Sequence, residues 1–198
     1  MGFIVLLVVL AVLVFWFIGA YNKLIGLKNQ VANAWKQIDV QLKRRHDLIP
    51  NLVNTVKGAM QFERETLDAV VSARNQAMKV QQMPGAHVSD TAAAESQLTG
   101  ALSRLLAVVE AYPDLKATGN VGQLQEELTS TENKIAFSRQ HYNDTATEYN
   151  TKQQQFPTNL VAGMAGASPA ELWEITDQVE RAVPNVDLSF GTPPRRTV

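Results

Sequence analysis

Two short stretches hold most of the side chains whose types and spacing could do chemistry. Asp39, Arg44, Arg45, Asp47 and Asn51 lie on one, and Glu132, Asn133, Arg139, Asn143 and Asn150 on the other. If these stretches face each other, arginine to carboxylate pairs would fix the register between them, because a buried polar group without a partner costs a few kcal/mol. A ligand pocket built from the same groups is the sharper alternative. The ingredients of catalysis are missing. His46, His87 and His141 sit on separate segments, and a histidine base needs a nucleophile within hydrogen-bond reach. They read as surface or packing residues. The residues three before them are Lys43, Pro84 and Ser138, so the Glu-x-x-His element of a di-iron bundle is absent. There is no cysteine, hence no disulfide, thiol nucleophile or cysteine-based zinc site. The phosphate-cradling G-x-x-x-x-G-K-[ST], the nucleophile elbow G-x-S-x-G and the zinc motif H-E-x-x-H are also absent. The sequence therefore reads as a non-enzyme, with no catalytic, cofactor-binding or metal-binding residue assigned and no cofactor expected.

The elements that would position these groups are helical. At 198 residues the chain fits one domain with an appendage, and it shows helical spacing nearly throughout with no bounded stretch of strict alternation. The expected fold is all-α: an N-terminal transmembrane helix followed by a long antiparallel bundle of about four helices. Trp35, Ile38, Leu42, Ile49, Leu52, Val56, Met60, Leu67, Val70 and Ala77 keep one helical phase straight through Pro50. A proline removes a backbone donor, so Pro50 predicts a kink near His46 to Ile49 or a reversal; the poor turn formers Leu48 and Ile49 favour the kink. Met83 to Ala86 supplies the next break. Ala94, Leu98, Ala101, Leu105, Val108 and Tyr112 form a second seam, limited by Pro113. A third, coiled-coil-like seam runs through Val121, Leu124, Leu128, Thr131, Ile135, Ser138, Tyr142, Thr145 and Tyr149. The second and third segments are expected to pair as an antiparallel hairpin through PDLKATG, with Asn120 and Gln123 as a capping box. Ser168, Pro169 and Glu171 predict a last helix from Pro169 to about Ala182, with Leu172, Ile175, Val179 and Ala182 inside. Residues from Phe156 to Ala167 are then a connector. Trp35 and Trp173 read as core, and Tyr142 and Tyr149 as filling of the third seam.

The chain opens with FIVLLVVLAVLVFWFIGA from Phe3 to Ala20, eighteen residues without a charge, long enough as a helix to span a bilayer. A cleaved signal peptide is the alternative, but no Lys or Arg precedes the run, and Ile18 and Ala20 are a poor cleavage pair. The organisation that follows is an anchor over 1–21, a bundle over 22–183 and a tail over 184–198. Basic residues near the span, from Lys23 and Lys28 to Lys36, Lys43, Arg44 and Arg45, all lie on its C-terminal side, so the positive-inside rule predicts a cytoplasmic body; a periplasmic body is the alternative. Lys23 to Asp47 carries six basic and two acidic residues, whereas Glu110 to Glu148 carries seven acidic and three basic. This asymmetry would suit anionic lipid or the acidic face of another copy, or two solvated faces that offset each other within one bundle. The overall net charge of -1 gives no drive toward nucleic acid.

Three blocks carry a family resemblance: YNKLIGLKNQVANAWKQIDVQLKRRHDLIPNLVNTVKG from Tyr21 to Gly58, AYPDLKATGNVGQLQEELTSTENKIAFSRQHYNDTATEYN from Ala111 to Asn150, and FPTNLVAGM from Phe156 to Met164. On these the chain resembles the LemA family of bacterial membrane-anchored proteins. The His87 to Leu98 region and the end from Ala165 carry little of the signature, and GASPAELWEITDQVERAVPNVDLSF replaces the family's aromatic-rich end. The resemblance implies an N-terminal membrane helix followed by a long helical bundle, without catalytic residues or cofactor. It also implies roles in membrane organisation or stress-linked envelope functions, since the family's relatives include a magnetosome membrane protein. The expected function is a membrane-anchored, non-catalytic helical scaffold. Its expected partners are the lipid bilayer, further copies in a homo-oligomer and another envelope protein. A regulatory adaptor of a membrane protease, or a lipid-surface sensor, is the alternative.

Overall fold

Proline at position 50 cannot donate the hydrogen bond that a helix would send to the carbonyl of His46. In the computed structural model, which describes residues 1–58, 60, 62–113 and 119–174, that carbonyl accepts 2.7 Å from Arg74 Nε instead. With its orphaned acceptor satisfied, the first helix, α1, continues through Pro50 and runs unbroken over Gly2–Val56. Pro50 therefore does not reverse the chain. The reversal comes seven residues later. Lys57 closes the last turn by donating to Val53 O, and Met60, fully buried, donates to Val56 O. The single helical phase from Trp35 to Ala77 is thus shared by two helices, with Met60 in the turn between them.

The second helix, α2 (Arg64–Gln81), runs back along α1. Its Gln81 Nε2 donates 2.6 Å to Asp39 Oδ1, and Arg74 reaches His46, so rising numbers on one helix meet falling numbers on the other. Gly85, at φ +76°, supplies the left-handed residue of the turn into α3 (Val88–Glu110). The fourth helix, α4 (Gly119–Gln154), lies along α1 for most of its length.

The expected α3–α4 hairpin needs correction. The closest backbone packing is α1 with α4 and α2 with α3, and these two layers then face each other. The two seams still meet: Leu98, Leu102, Leu105 and Val109 share a core with Val121 and Leu128, and with Ile49, Leu52 and Val56 of α1. Most of the PDLKATG link lies outside the described residues. The architecture is all-helical, with no strand among the described residues.

Three apolar layers stack along the α1–α4 pair. The layer farthest from the N-terminus of α1 is walled by four helices. The middle one joins Ala34, Ile38 and Leu42 to Ile135, Tyr142 and Ala146, with Ala92 and the half-buried Val88 from the start of α3, and Trp173 completes it. The third joins Leu24 and Leu27 to Tyr149, Ala162 and Ala165. Here α2 and α3 have been replaced by the connector and its short helix, α5 (Asn159–Ala162). The connector ends in a Schellman arrangement: Gly166, at φ +58°, donates to Gly163 O, and Ala167 donates to Ala162 O.

The helix expected from Pro169 does not form over the described part. Ala167 to Glu174 has no helical structure, because its backbone groups are taken by side chains of α4, as described below. Ile175, Val179, Ala182 and the tail over 184–198 lie outside the described residues.

Candidate functional site

The two polar stretches do face each other. Arg45 lies one helical step from the apolar stripe of α1, so its guanidinium enters the bundle and is 1% exposed. There Nη2 pairs with the Glu95 carboxylate of α3, and Nη1 pairs with Glu132 of α4. Nη1 also donates 3.0 Å to Thr99 Oγ1. One cation thereby ties three helices together. Its Nε finds no partner among the described residues. His46, equally buried, places Nε2 2.8 Å from the other oxygen of Glu95. Burial, reinforced by the guanidiniums of Arg45 and then Arg74, lowers the His46 pKa from 6.5 to about 4. The ring is therefore neutral at pH 7 and donates Nε2–H to a carboxylate whose charge is already met by Arg45. The cleft beside this cluster, bordered also by Arg139 and Trp173, encloses about 290 Å³. That is at the lower limit of the ~300–1,000 Å³ of small-molecule pockets, and Arg45 in its wall is already paired with Glu95 and Glu132. The arrangement fixes helix register, the structural reading of these residues.

The remaining residues divide clearly. Asp39 receives Gln81, and Arg44 approaches Glu127 to 3.9 Å at the surface. Asp47, Asn51 and Asn133 are exposed. Arg139 lies 5.3 Å over the ring of Trp173. His141 is exposed on α4, and His87 is exposed at the start of α3. Among the described residues no group of three or more His, Asp or Glu side chains could hold a metal ion.

Asn143 and Asn150 do something that spacing alone did not reveal. Each grips the backbone of one residue in the segment after the connector. Asn150 Oδ1 accepts from Ala170 N at 2.7 Å while its Nδ2 donates to Ala170 O at 2.8 Å. Asn143 does the same with Trp173, at 2.8 and 2.9 Å. Seven residues of helix advance about 10.5 Å, and three residues of extended chain advance about 10–11 Å, so two asparagines seven apart match every third residue of an extended strap. Tyr142 adds a bond from its hydroxyl to Glu171 O at 2.7 Å. Burial, and then the Glu171 carboxylate, push the Tyr142 pKa up, so the phenol keeps the proton it donates.

Glu171, expected to cap its own helix, instead caps α3. Its carboxylate accepts from Val88 N at 3.0 Å and Ser89 N at 3.3 Å and lies 3.5 Å from His87 Nδ1. The Ser89 side chain, with the two backbone donors and His87, outweighs desolvation and holds this carboxyl below its ordinary pKa. Trp173 closes the strap by packing 5.8 Å from Trp35, which meets Tyr142 edge-on at 5.4 Å.

Sequence reasoning expected arginine to carboxylate pairs if the stretches of Arg45 and Glu132 face each other, without naming the pair, and did not bring in Glu95, His46 or Thr99. A carboxylate at position 95, between Ala94 and Leu98 of the second seam, was the available signal.

Comparison with known proteins now bears on this arrangement. The model of the LemA family matches residues 34–188, most of the chain. The chain belongs to the LemA family. Protein LemA of Metamycoplasma hominis is 30% identical over 164 residues, covering 81% of this chain and 72% of its own length. Magnetosome protein MamQ 2 of Paramagnetospirillum magneticum is 27% identical over 176 residues, covering 78% of this chain and 64% of its own. Magnetosome protein MamQ of Magnetospirillum gryphiswaldense is 25% identical over 173 residues, covering 76% and 63%. The chain thus spans less than two thirds of these two magnetosome proteins. The family match takes in Arg45, Glu95, Glu132, both asparagine clamps and the strap, so it extends past Met164, where the sequence blocks of the resemblance end.

The N-terminal part of α1 fits a single-pass membrane anchor. It is apolar and long enough to cross a bilayer, and none of its most apolar window is buried against the rest of the protein.

Proposed function

We propose that this LemA family protein is a non-catalytic, membrane-tethered helical scaffold whose body, on the cytoplasmic side of the bacterial inner membrane, associates with further copies of itself. The observation that carries this reading is the continuity of α1. One helix of 55 residues contains both the exposed apolar stretch and the long wall of the bundle, with no flexible linker between them. A body held in that way is presented at a fixed angle and height, and tethering raises its effective concentration toward neighbours on the same membrane. The outer face of α4 offers a contact surface. A groove lined by Gln41, Gln125, Ser130, Asn133, Lys134 and Phe137 runs along it, and Phe137 is 78% exposed. The buried guanidinium of Arg45 and the buried carboxylate of Glu95 neutralise one another, which supports a structural role for them. Similarity to proteins named as magnetosome components supports a role in assembly.

Light scattering of the full chain in detergent, together with crosslinking in intact cells, tests the proposal. Oligomers that Phe137→Asp disperses are expected. A monomeric particle that crosslinks to no copy of itself would overturn the self-association. Protease accessibility in the same cells decides the side of the membrane: a body cut from the periplasmic face would overturn the cytoplasmic placement.

A further inference from the structure

The connector is apolar on two faces, and only one is covered. From Pro157 to Ala165 its backbone follows helical turns, with Leu160 donating to Pro157 O, Ala162 to Thr158 O and Ala165 to Val161 O. Val161, Ala162 and Ala165 are buried, the two alanines against Leu24, Leu27 and Tyr149. Leu160 and Met164, spaced four apart, are 67% and 73% exposed, and Phe156, just before this turn, is 80% exposed. Three large apolar side chains within nine residues, unshielded by the chain, call for a partner.

The height of this patch is set by α1. The charge-free run ends at Ala20, and the connector meets α1 at Leu24, Leu27 and Lys28, the last through Lys28 Nζ donating 3.3 Å to Gly166 O. Four to eight residues of helix amount to about 6–12 Å, whereas the headgroup layer beyond the hydrocarbon is about 5–8 Å deep on each side. The register that pairs Arg45 with Glu132 and Trp35 with Tyr142 carries the end of α4 level with Lys23, and Phe156 follows two residues later. Burial on α1 also begins inside the apolar run: Phe17 and Ala20 are half-buried, on the face that continues to Leu24 and Leu27, while Phe15 is exposed.

We propose that Phe156, Leu160 and Met164 form a second membrane contact, a short re-entrant foot at the base of the bundle that inserts into the headgroup and upper acyl region of the leaflet through which α1 emerges. It rests on α1 crossing that bilayer. An apolar turn lying in the interface gains from burying its side chains among the acyl chains. With α1 it gives the body two points of attachment, so the bundle cannot rotate freely about the span. Lys28, which donates to Gly166 O, and Lys152, which donates to Gln155 Oε1, set basic groups at the two ends of the connector, and these suit lipid phosphate.

Because the chain has no cysteine, single-cysteine variants label cleanly. The full chain is reconstituted into phosphatidylcholine vesicles with an environment-sensitive fluorophore at Phe156→Cys, Leu160→Cys or Met164→Cys. Phe62→Cys, 96% exposed at the far end of the bundle, serves as a solvent reference and Val12→Cys as a reference within the span. Foot labels are expected to emit at shorter wavelength than the Phe62 label, to be quenched by doxyl-labelled lipid, and to resist aqueous iodide several-fold better. If Val12 is quenched by lipid while all three foot positions respond to iodide as Phe62 does, the foot is overturned and the spanning helix stands. If Val12 is reached by iodide, the span fails and the foot fails with it.

Discussion

The two ends of the bundle solve the same problem by different means. Away from the membrane-spanning end, α1 and α4 are flanked by regular helices, α2 and α3. Helices consume their own backbone groups, so side chains alone can join them, and the join is ionic: Arg45 with Glu95 and Glu132. Nearer the span an extended strap takes the place of a helix. Its free N–H and C=O groups demand a donor and an acceptor together, which a neutral amide supplies and a single charge does not. Asn143 and Asn150 provide them. In these two joins charge fixes α1 against α3 and α4, and amides fix α4 against bare backbone.

Breaking the ionic join should have the largest effect. Arg45→Leu leaves Glu95, 4% exposed, as an uncompensated buried charge, and a loss of about 3–5 kcal/mol is expected. Adding Glu95→Leu should recover most of it, since an apolar pair of similar volume can replace a buried ion pair at little cost. Thermal unfolding of the full chain in detergent, followed by circular dichroism, measures both. A double variant no more stable than the single one would show that the register depends on charge itself.

The next effect is one of pH. His46 is held at about 4 against 6.5 for a free histidine. At neutral pH both states leave it uncharged and it contributes nothing. As pH falls below 6.5 the unfolded chain binds a proton that the folded chain refuses, so stability drops through the window down to about 4. The full loss is roughly 3 kcal/mol. His46→Gln keeps an N–H for Glu95 and removes the titration, and its stability should fall less steeply across that window. Parallel slopes in the two proteins would move the pH dependence to other groups. No such slope is expected from the clamps, which are neutral.

Those clamps give the third contrast. Asn143→Ala leaves Trp173 N–H and C=O unpaired at a roughly 1–3 kcal/mol penalty, confined to the strap. Hydrogen exchange at the Trp173 amide should accelerate while amides around Leu52 and Leu105 keep their protection. Asn143→Asp is the sharper variant: it retains the acceptor for Trp173 N–H but sets a carboxylate against Trp173 O, so it should release the strap nearly as well as alanine. Uniform acceleration across the molecule would mean that the strap is part of the cooperative core.

How much of this was legible follows from the same contrast. Helices announce themselves by periodicity, and the seam from Trp35 to Ala77 named core residues correctly. It could not show the turn at Met60, because the stripe of α2 continues the phase of α1 across it. The partnership of α3 was misread because a seam says which face is buried and leaves its partner open. Here Leu98 and Leu105 share a core with Leu128 while the α3 backbone lies against α2. Ser168-Pro169-x-Glu171 has every local mark of a helix start, and the strap overrides it because α4 offers two amide clamps at matching pitch and α3 offers an uncapped N-terminus for Glu171. Of the candidate cluster, the stretches of Arg45 and Glu132 could be set against each other from sequence because both are recognisably polar. Glu95 was hidden among alanines and leucines.

The smallest effect isolates a single hydrogen bond. Arg74 Nε serves the carbonyl that Pro50 leaves without a donor, 2.7 Å away. Arg74→Ala in the natural background should cost about 1–2 kcal/mol, because the His46 carbonyl then has no helical donor to fall back on. With Pro50→Ala, residue 50 regains its N–H and can bond that carbonyl, so the same Arg74→Ala change should cost less. The coupling in this double-mutant cycle is expected at about 1 kcal/mol, positive for the pair that occurs naturally. Zero coupling would mean that Arg74 acts through the field it exerts on His46. In that case the cost of Arg74→Ala would shift as His46 titrates, whereas a bond to a backbone carbonyl is indifferent to that proton.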